Sequence, residues 1–373
     1  MQDEYAGSLT LCEVTSMGID LRSSLAEGRY LARVLEGSWR KTPPLLKVET
    51  EHVVATIPLL LASRAGALAW KRISSGGGQL LDGIAEVLRN TYRESAIHAA
   101  QHEFQLCQII KAVRSAGVEP ILMKGWAAGR LYSEPGLRPS GDIDLCVSPE
   151  QLDTARKVCE KAEHDSYVVD LDHDEITKFG DQSFGQLYDR SELVQLDGTK
   201  IRVLGAEDHL RVLCIHFLKH GGWRPIWLCD IAAALEARPA NFNWVICLGK
   251  NKRRADWVLC ALGLANQLLG AELGDAQIGE GNRVPKWLTS SVLKQWGRPH
   301  PVLSHFEYQL KKSLTHPRDF LRYLATRWPN PVVASVDFNA DFDQRSRLPL
   351  QTLHFLRSGA NLFPRLLRMG LTE

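Results

Sequence analysis

Apolar positions recur at helical spacing over most of the chain and at strand-like spacing only near its middle. From Leu80 to Ala116 the pattern is helical, with Ile97, Phe104, Cys107, Ile110 and Val113 on one predicted face. Gly117 is suited to end that helix and Pro120 to stop it continuing. Further helices are predicted over 25–35, over 50–70 (Val53, Ile57, Leu60, Leu61, Leu68), and from the Ser148-Pro149-Glu150 start to about Ala162. Helical patterning resumes over 206–219, 226–235, 242–270 and 286–328, with Gly221-Gly222 separating the first two. Trp244, Trp257, Trp287, Trp296 and Trp328 are the expected packing residues of this half. Short apolar or alternating runs at Pro120–Met123, Ile143–Val147, Tyr167–Asp172 and Lys200–Leu204 predict strands. The tail from Leu353 to Met369 reads as a terminal helix docked on the core rather than an amphipathic helix on a membrane.

The fold class expected is therefore α+β and mainly α. A largely helical region covers 1–78, a central strand–helix–strand unit lies within 79–205, and a helical domain follows over 206–373. Ser74-Ser75-Gly76-Gly77-Gly78 marks a flexible joint between the first two. It is not a phosphate-binding P-loop, because no Lys-Ser/Thr follows it and no strand precedes it.

Composition adds boundaries. A length of 373 residues exceeds one small core, and a net charge of +2 neither requires nor excludes a nucleic-acid partner. The acidic start, Met1 to Ser16, lacks a basic and apolar leader, and no apolar run reaches the length of a membrane span, so a cytoplasmic protein is expected. The eight cysteines include no C-x-x-C pair and sit mostly in apolar periodic segments, which predicts reduced core thiols.

The candidate chemistry lies between Met123 and Val147. Asp142 and Asp144 alternate with Ile143 and Leu145, so their carboxylates share one strand face. Two such neighbouring anions repel, and a hard divalent cation holding substrate phosphates would relieve them. Lys124-Gly125 ends the preceding strand, where glycine lets a ligand approach the backbone and the following helix start offers N–H groups to phosphate. Arg138 and Ser140, on the loop before the aspartates, are suited to phosphate contact. His216 and His220 lie one helical turn apart, with His209 on the same face two turns earlier. A zinc-protease motif is not met, since Phe217 stands where glutamate is needed.

This order, Lys-Gly, a short helix ending Leu131-Tyr132, then Arg138-Pro-Ser-Gly-Asp142-Ile-Asp144-Leu, resembles the DNA polymerase β-like nucleotidyltransferase superfamily. It is most similar to a bacterial "nucleotidyltransferase family" branch, with a related pattern in abortive-infection nucleotidyltransferase toxins. The resemblance implies a small mixed β-sheet flanked by helices and a nucleotidyltransferase core over 79–205. It implies Mg²⁺ (or Mn²⁺) on Asp142, Asp144 and a third carboxylate, which would lower the barrier to deprotonating the attacking hydroxyl. Asp170 is favoured for the third and Asp172 is the alternative, with neither also open. Lys124, Gly125, Arg138 and Ser140 would hold an NTP, by expectation ATP. One departure is Trp126, where a phosphate-binding serine or a second glycine is common; Ser140 would then supply the hydroxyl. The branch also carries an H…K-H…W…D run, matched by His216, Lys219, His220, Trp227 and Asp230. These residues would approach the substrates or form a buried polar network. The acceptor stays open among a protein or peptide, a small molecule and a tRNA, and a non-catalytic nucleotide-binding or scaffolding descendant is the alternative reading.

Overall fold

The structure, a computed structural model, describes residues 24–47, 49–75, 82–163, 168–171, 182–276, 284–298 and 328–370. Four helices open it: α1 (Ser24–Leu35), α2 (Thr50–Ala62), α3 (Gly66–Ser75) and α4 (Asp82–Ser115). The central part runs β1 (Ile121–Leu122), α5 (Trp126–Gly129), β2 (Ile143–Cys146), α6 (Leu152–Glu163), β3 (Val169–Leu171), α7 (Phe184–Arg190), β4 (Glu192–Leu196) and β5 (Thr199–Val203). Helices α8 (Ala206–Lys219), α9 (Pro225–Glu236), α10 (Trp244–Leu248), α11 (Lys252–Leu269), α12 (Lys286–Trp296), α13 (Pro331–Asp337) and α14 (Leu348–Gly370) complete it.

The class is α+β, mostly helical, with a mixed five-stranded sheet in the order β3-β2-β1-β5-β4. β1 is antiparallel to β2 and parallel to β5, β2 is parallel to β3, and β4–β5 is an antiparallel hairpin. That hairpin falls partly in a segment the hydrophobic pattern leaves polar. Its turn is Asp197-Gly198, both at positive φ (44° and 75°), the geometry of a two-residue primed turn.

Two main cores divide the apolar residues. Leu122, Ile143, Leu145, Val169, Ile201 and Val203 of the sheet pack on Leu106, Ile109, Ile110 and Val113 of α4 and on α6. The second core joins α1–α3 and the start of α4 to α8, α9 and α11–α13, so chain segments far apart in sequence bury one another. Trp39 and Arg40 reinforce this by donating to the carboxylate of Glu236 at 2.8 and 2.9 Å.

Several expectations are corrected. Ile97 and Phe104 are exposed, whereas Cys107, Ile110 and Val113 are buried. The inward face of mid-α4 is Ser95 and His102, two residues earlier and so about 200° round the helix, and these bond the main chain of Gly136 and Asp142. The 50–70 helix is two helices, broken where Arg64 takes φ +60°. A turn at Gly249 (φ 67°) likewise splits 242–270. The start at Ser148 is a 3₁₀ turn before α6. Of the tryptophans, Trp257 and Trp296 are fully buried, Trp244 and Trp287 pack partly, and Trp328 is exposed. The tail is helical, but Leu348, Leu353 and Leu356 are exposed; α14 meets residues 328–337 through Gln351, His354 and Phe355. Gly76–Gly78 of the expected joint, Tyr167 and Asp172 of the third strand, the helical stretch 299–327 and Cys12 lie outside the described residues.

Gly28 shows how closely the chain's first and last thirds meet: a β-carbon there would stand 2.0 Å from the carbonyl oxygen of Leu293 in α12. Backbone cannot yield that far without separating the helices. Gly28→Ala is expected to lower the urea unfolding midpoint by an amount equivalent to about 2 kcal/mol or more.

Candidate active site

β1 delivers Lys124 and Gly125 to the edge of a cavity of about 520 Å³. Gly125 adopts φ 53°, ψ −117°, which disfavours any side chain. A β-carbon there would come within 3.4 Å of the Asp142 carbonyl, 3.8 Å of Asp144 Oδ2 and 3.9 Å of Ser140 Oγ. The missing side chain thus leaves a small space against the acidic loop. The helix that follows, α5, has only four residues, so it has little macrodipole to offer an anion. Trp126 does not face this space; its indole N–H donates to Glu103 at 2.9 Å.

Asp144 lies in β2 and is buried, while Asp142 precedes the strand and is exposed. β2 and β3 pair in parallel with Asp144 opposite Asp170, which puts two carboxylates side by side on strands about 4.8 Å apart. Burial raises the pKa of Asp144, the Lys124 ammonium opposes that rise, and the charges of Asp142 and Asp170 add to it. Lys124 Nζ stands 2.9 Å from Asp144 Oδ1, both side chains nearly fully buried. Among the described residues no three His, Cys, Asp or Glu side chains form a ready metal cluster.

Arg138 points into a buried network. Its Nη2 lies 2.9 Å and its Nε 3.2 Å from the carboxylate oxygens of Asp230 in α9, and the Tyr132 hydroxyl donates to the same carboxylate at 2.7 Å. Burial works against the Arg138 charge, but Asp230 outweighs it and the pKa is raised. Arg138 Nη1 also donates to Ser140 Oγ at 3.2 Å, and His102 meets the Asp142 carbonyl at 3.2 Å. The loop carrying Ser140 and Asp142 is therefore fixed from both sides.

Lys124, Gly125, Arg138, Asp142, Asp144, Asp170, His216 and His220 all line the one cavity. Ser140 sits at its rim beside Gly125, and Asp172 lies outside the described residues. His216 and His220 pack with Trp227 at ring separations of 4.6 and 5.3 Å, on the helical side of the cavity. His209 is buried behind them; burial first, then the charges of Arg130 and Arg138, push its pKa down to about 3. Six lining residues carry no motif that marks them in the sequence: Ser63, Arg64, Leu213, Trp223, Arg224 and Ile226. Arg64 belongs to a helix break, and Arg224 to the turn between α8 and α9, stacked on Trp223 and Trp227 at 4.4 and 5.0 Å. The Trp-Arg-Pro sequence after Gly221-Gly222 marks a turn there, yet nothing local says what the turn faces.

Aspartates on adjacent strands, a glycine space and several cations around one cavity suit a phosphorylated ligand carried with a divalent ion. The chain belongs to the family of uncharacterised nucleotidyltransferases, whose model matches residues 55–270. That span takes in every residue of the cavity named above. Among solved structures it is similar to an antigenic nucleotidyltransferase-like protein from Paracoccidioides brasiliensis, at 14% identity and a TM-score of 0.35, covering 47% of this chain and 95% of that one. A likeness that slight carries no argument. No curated protein matches the chain.

Two outcomes follow from the buried charges. Removing Asp230 leaves Arg138 buried and unpaired, so Asp230→Ala is expected to cost about 3–5 kcal/mol in a denaturant melt. Adding Arg138→Met to that variant should restore part of the loss. His209 is neutral in the folded protein, while its unfolded pKa is near 6.5. Below pH 6.5 the unfolded chain binds the extra proton, so this histidine's contribution is complete above pH 6.5 and is lost as pH falls toward 3. His209→Gln should flatten the acid limb of stability against pH by about 1.4 kcal/mol per unit within that window, read by urea melts across pH.

Proposed function

We propose that the protein is a metal-dependent nucleotidyltransferase, moving a nucleoside monophosphate from an NTP, by expectation ATP, to an acceptor and releasing pyrophosphate. The observation that carries this reading is the pairing of Asp144 with Asp170 across β2 and β3, with Asp142 beside them at the same cavity. The donor chemistry suits a hard cation, every candidate ligand being a carboxylate oxygen and two of the three coming from adjacent strands, while the three do not already form a closed cluster in this structure. Asp142, Asp144 and Asp170 would hold Mg²⁺ or Mn²⁺, which when bound supplies charge neutralisation for the phosphates and a lower barrier to losing the acceptor proton.

The chain's own residues do the rest. Gly125 leaves room for a phosphate against the backbone, and Ser140 presents a hydroxyl beside that space. Arg138 holds Ser140 in place while anchored on Asp230. In the transfer, the acceptor oxygen or nitrogen forms a bond to the α-phosphorus, the bond from that phosphorus to the bridging oxygen breaks, and the electron pair leaves with pyrophosphate. The acceptor's proton passes to solvent or a carboxylate.

The bacterial branch and the toxin kinship rest on the motif from Lys124 to Leu145 alone. With that branch, the acceptor class comprises a protein or peptide, a small molecule and a tRNA. Among the described residues seven cysteines are buried free thiols, which fits a reducing cytoplasm. No helix among the described residues is long and apolar enough to cross a membrane.

One observation favours a non-catalytic, nucleotide-binding relative. The Lys124 ammonium already neutralises Asp144 where a cation would sit. The two readings separate on incorporation. With each α-labelled NTP, Mg²⁺ and a lysate, the transferase deposits label in protein, RNA or small molecules, and Asp142→Asn or Asp144→Asn should reduce it at least about a hundredfold. Nucleotide binding without any transferred label, or label that survives both substitutions, would sink the transferase.

A further inference from the structure

Five arginine and lysine side chains line the cavity: Arg64, Lys124, Arg138, Lys219 and Arg224. Lys124 pairs with Asp144 and Arg138 with Asp230. Arg64 and Arg224 have no ion pair among the described residues, yet they come together from positions 160 residues apart in sequence.

Each is held in a particular way. Arg64 stands at the break between α2 and α3 with φ +60°, a conformation that glycine adopts at lower cost than arginine. Its Nη1 lies so close to the acidic loop that a β-carbon on Gly141, the residue before Asp142, would be 3.1 Å away. Arg224 packs against Trp223 and Trp227, its guanidinium carbon 4.4 and 5.0 Å from ring centroids that are themselves set edge to face. Burial, and the like charge of Arg64 nearby, lower its pKa, while Asp142 opposes that shift. Two cations brought together beside a carboxylate loop repel each other unless an anion lies between them. A ligand that meets them, and meets a cation on Asp142 and Asp144 as well, must carry negative charge along its length. A single carboxylate or a base does not; a chain of phosphates does.

We propose that Arg64 and Arg224 form a clamp for the polyphosphate of a nucleoside triphosphate, gripping the phosphates that depart as pyrophosphate. The clamp rests on the nucleotidyltransferase reading and adds to it a leaving-group site built outside the strand–helix–strand motif. Guanidinium forks suit this task because they bind phosphate oxygens in pairs. As the bond between the α-phosphorus and its bridging oxygen breaks, the charge gathers on the leaving group, where the two arginines stand. Four-residue α5 is too short to do this with its N-terminus, which explains why side chains are recruited from α2–α3 and from the turn before α9.

The test is calorimetric titration with inorganic pyrophosphate, with and without Mg²⁺, and with AMP in parallel. Arg64→Gln and Arg224→Gln should each weaken pyrophosphate by about tenfold, and AMP by less than about threefold. Arg64→Lys, which keeps the charge and loses the fork, should fall between. Arg64→Gly separates binding from folding: glycine relieves the backbone, so the melting temperature should hold or rise while pyrophosphate weakens as in the glutamine variant. Wild-type protein that does not bind pyrophosphate, glutamine variants that bind it normally, or AMP weakened as much as pyrophosphate would each overturn the clamp. Arginine-dependent pyrophosphate binding without any label transfer would remove the transferase and leave the two arginines as a polyphosphate-binding site of the non-catalytic reading; label transfer with arginine-independent binding would overturn the clamp and leave the transferase standing.

Discussion

The bidentate pair between Arg138 and Asp230 is the constraint on which the site depends. Both side chains are buried, and an isolated charge at either place would be expensive to keep there. Tyr132 satisfies a further lone pair of the same carboxylate, so the acid is shared by two donors from the central unit while it is carried by a helix of the C-terminal half. The pair therefore joins the loop of Ser140 and Asp142 to α9. A loop of Pro, Ser and Gly has no reason of its own to hold one shape, and this anchor, with His102 on the Asp142 carbonyl, gives it one.

The cavity arises where two cores meet. One of its walls comes from the sheet, through Lys124, Asp142, Asp144 and Asp170; the other comes from the helical core, through α8, α9 and the break at Arg64. Helix α4 spans both cores, giving Leu88 to one and Leu106, Ile109 and Val113 to the other. Between them its inward face is polar, because it lies against the loop that must present the aspartates. Packing and site geometry are thus set by the same helix. The helices on either side of the sheet unit share one core, and contacts as tight as Gly28 on Leu293 keep that arrangement fixed.

Charge is arranged with similar economy. Asp144 is buried beside two other acids, yet Lys124 lies in contact with it. Arg138 is paired with Asp230, while Arg64 and Arg224 reach the same cavity from other parts of the chain. Positive charge therefore accumulates on the helical side of the cavity, with Arg224 packed against two tryptophan rings. A polyanion entering there would find negative groups and positive groups on different walls, a distribution that orients it end to end.

How much of this could be read from residue order depends on how local the cause is. Period-two spacing fixes Asp142 and Asp144 on one side of a strand, and Gly125 at a strand end announces a backbone turn, because both follow from the geometry of a few consecutive residues. The third strand was legible for the same reason, and so was the α+β class, whereas Asp170 was favoured over Asp172 only by the resemblance. Hairpin β4–β5 was only partly seen: its Asp197-Gly198 turn signal was present, but β4 alternates exposed and half-buried residues and lacks a strong apolar face. The exposure of Ile97 and Phe104, the break at Arg64, and the meeting of Arg138 with Asp230 or of Arg64 with Arg224 were not legible. Each depends on what packs against it from more than thirty residues away, and side-chain periodicity carries no record of that partner. Residue order determined which acids share a strand; only the tertiary structure decided which cations stand before them, because a charge is placed by the core that its helix joins.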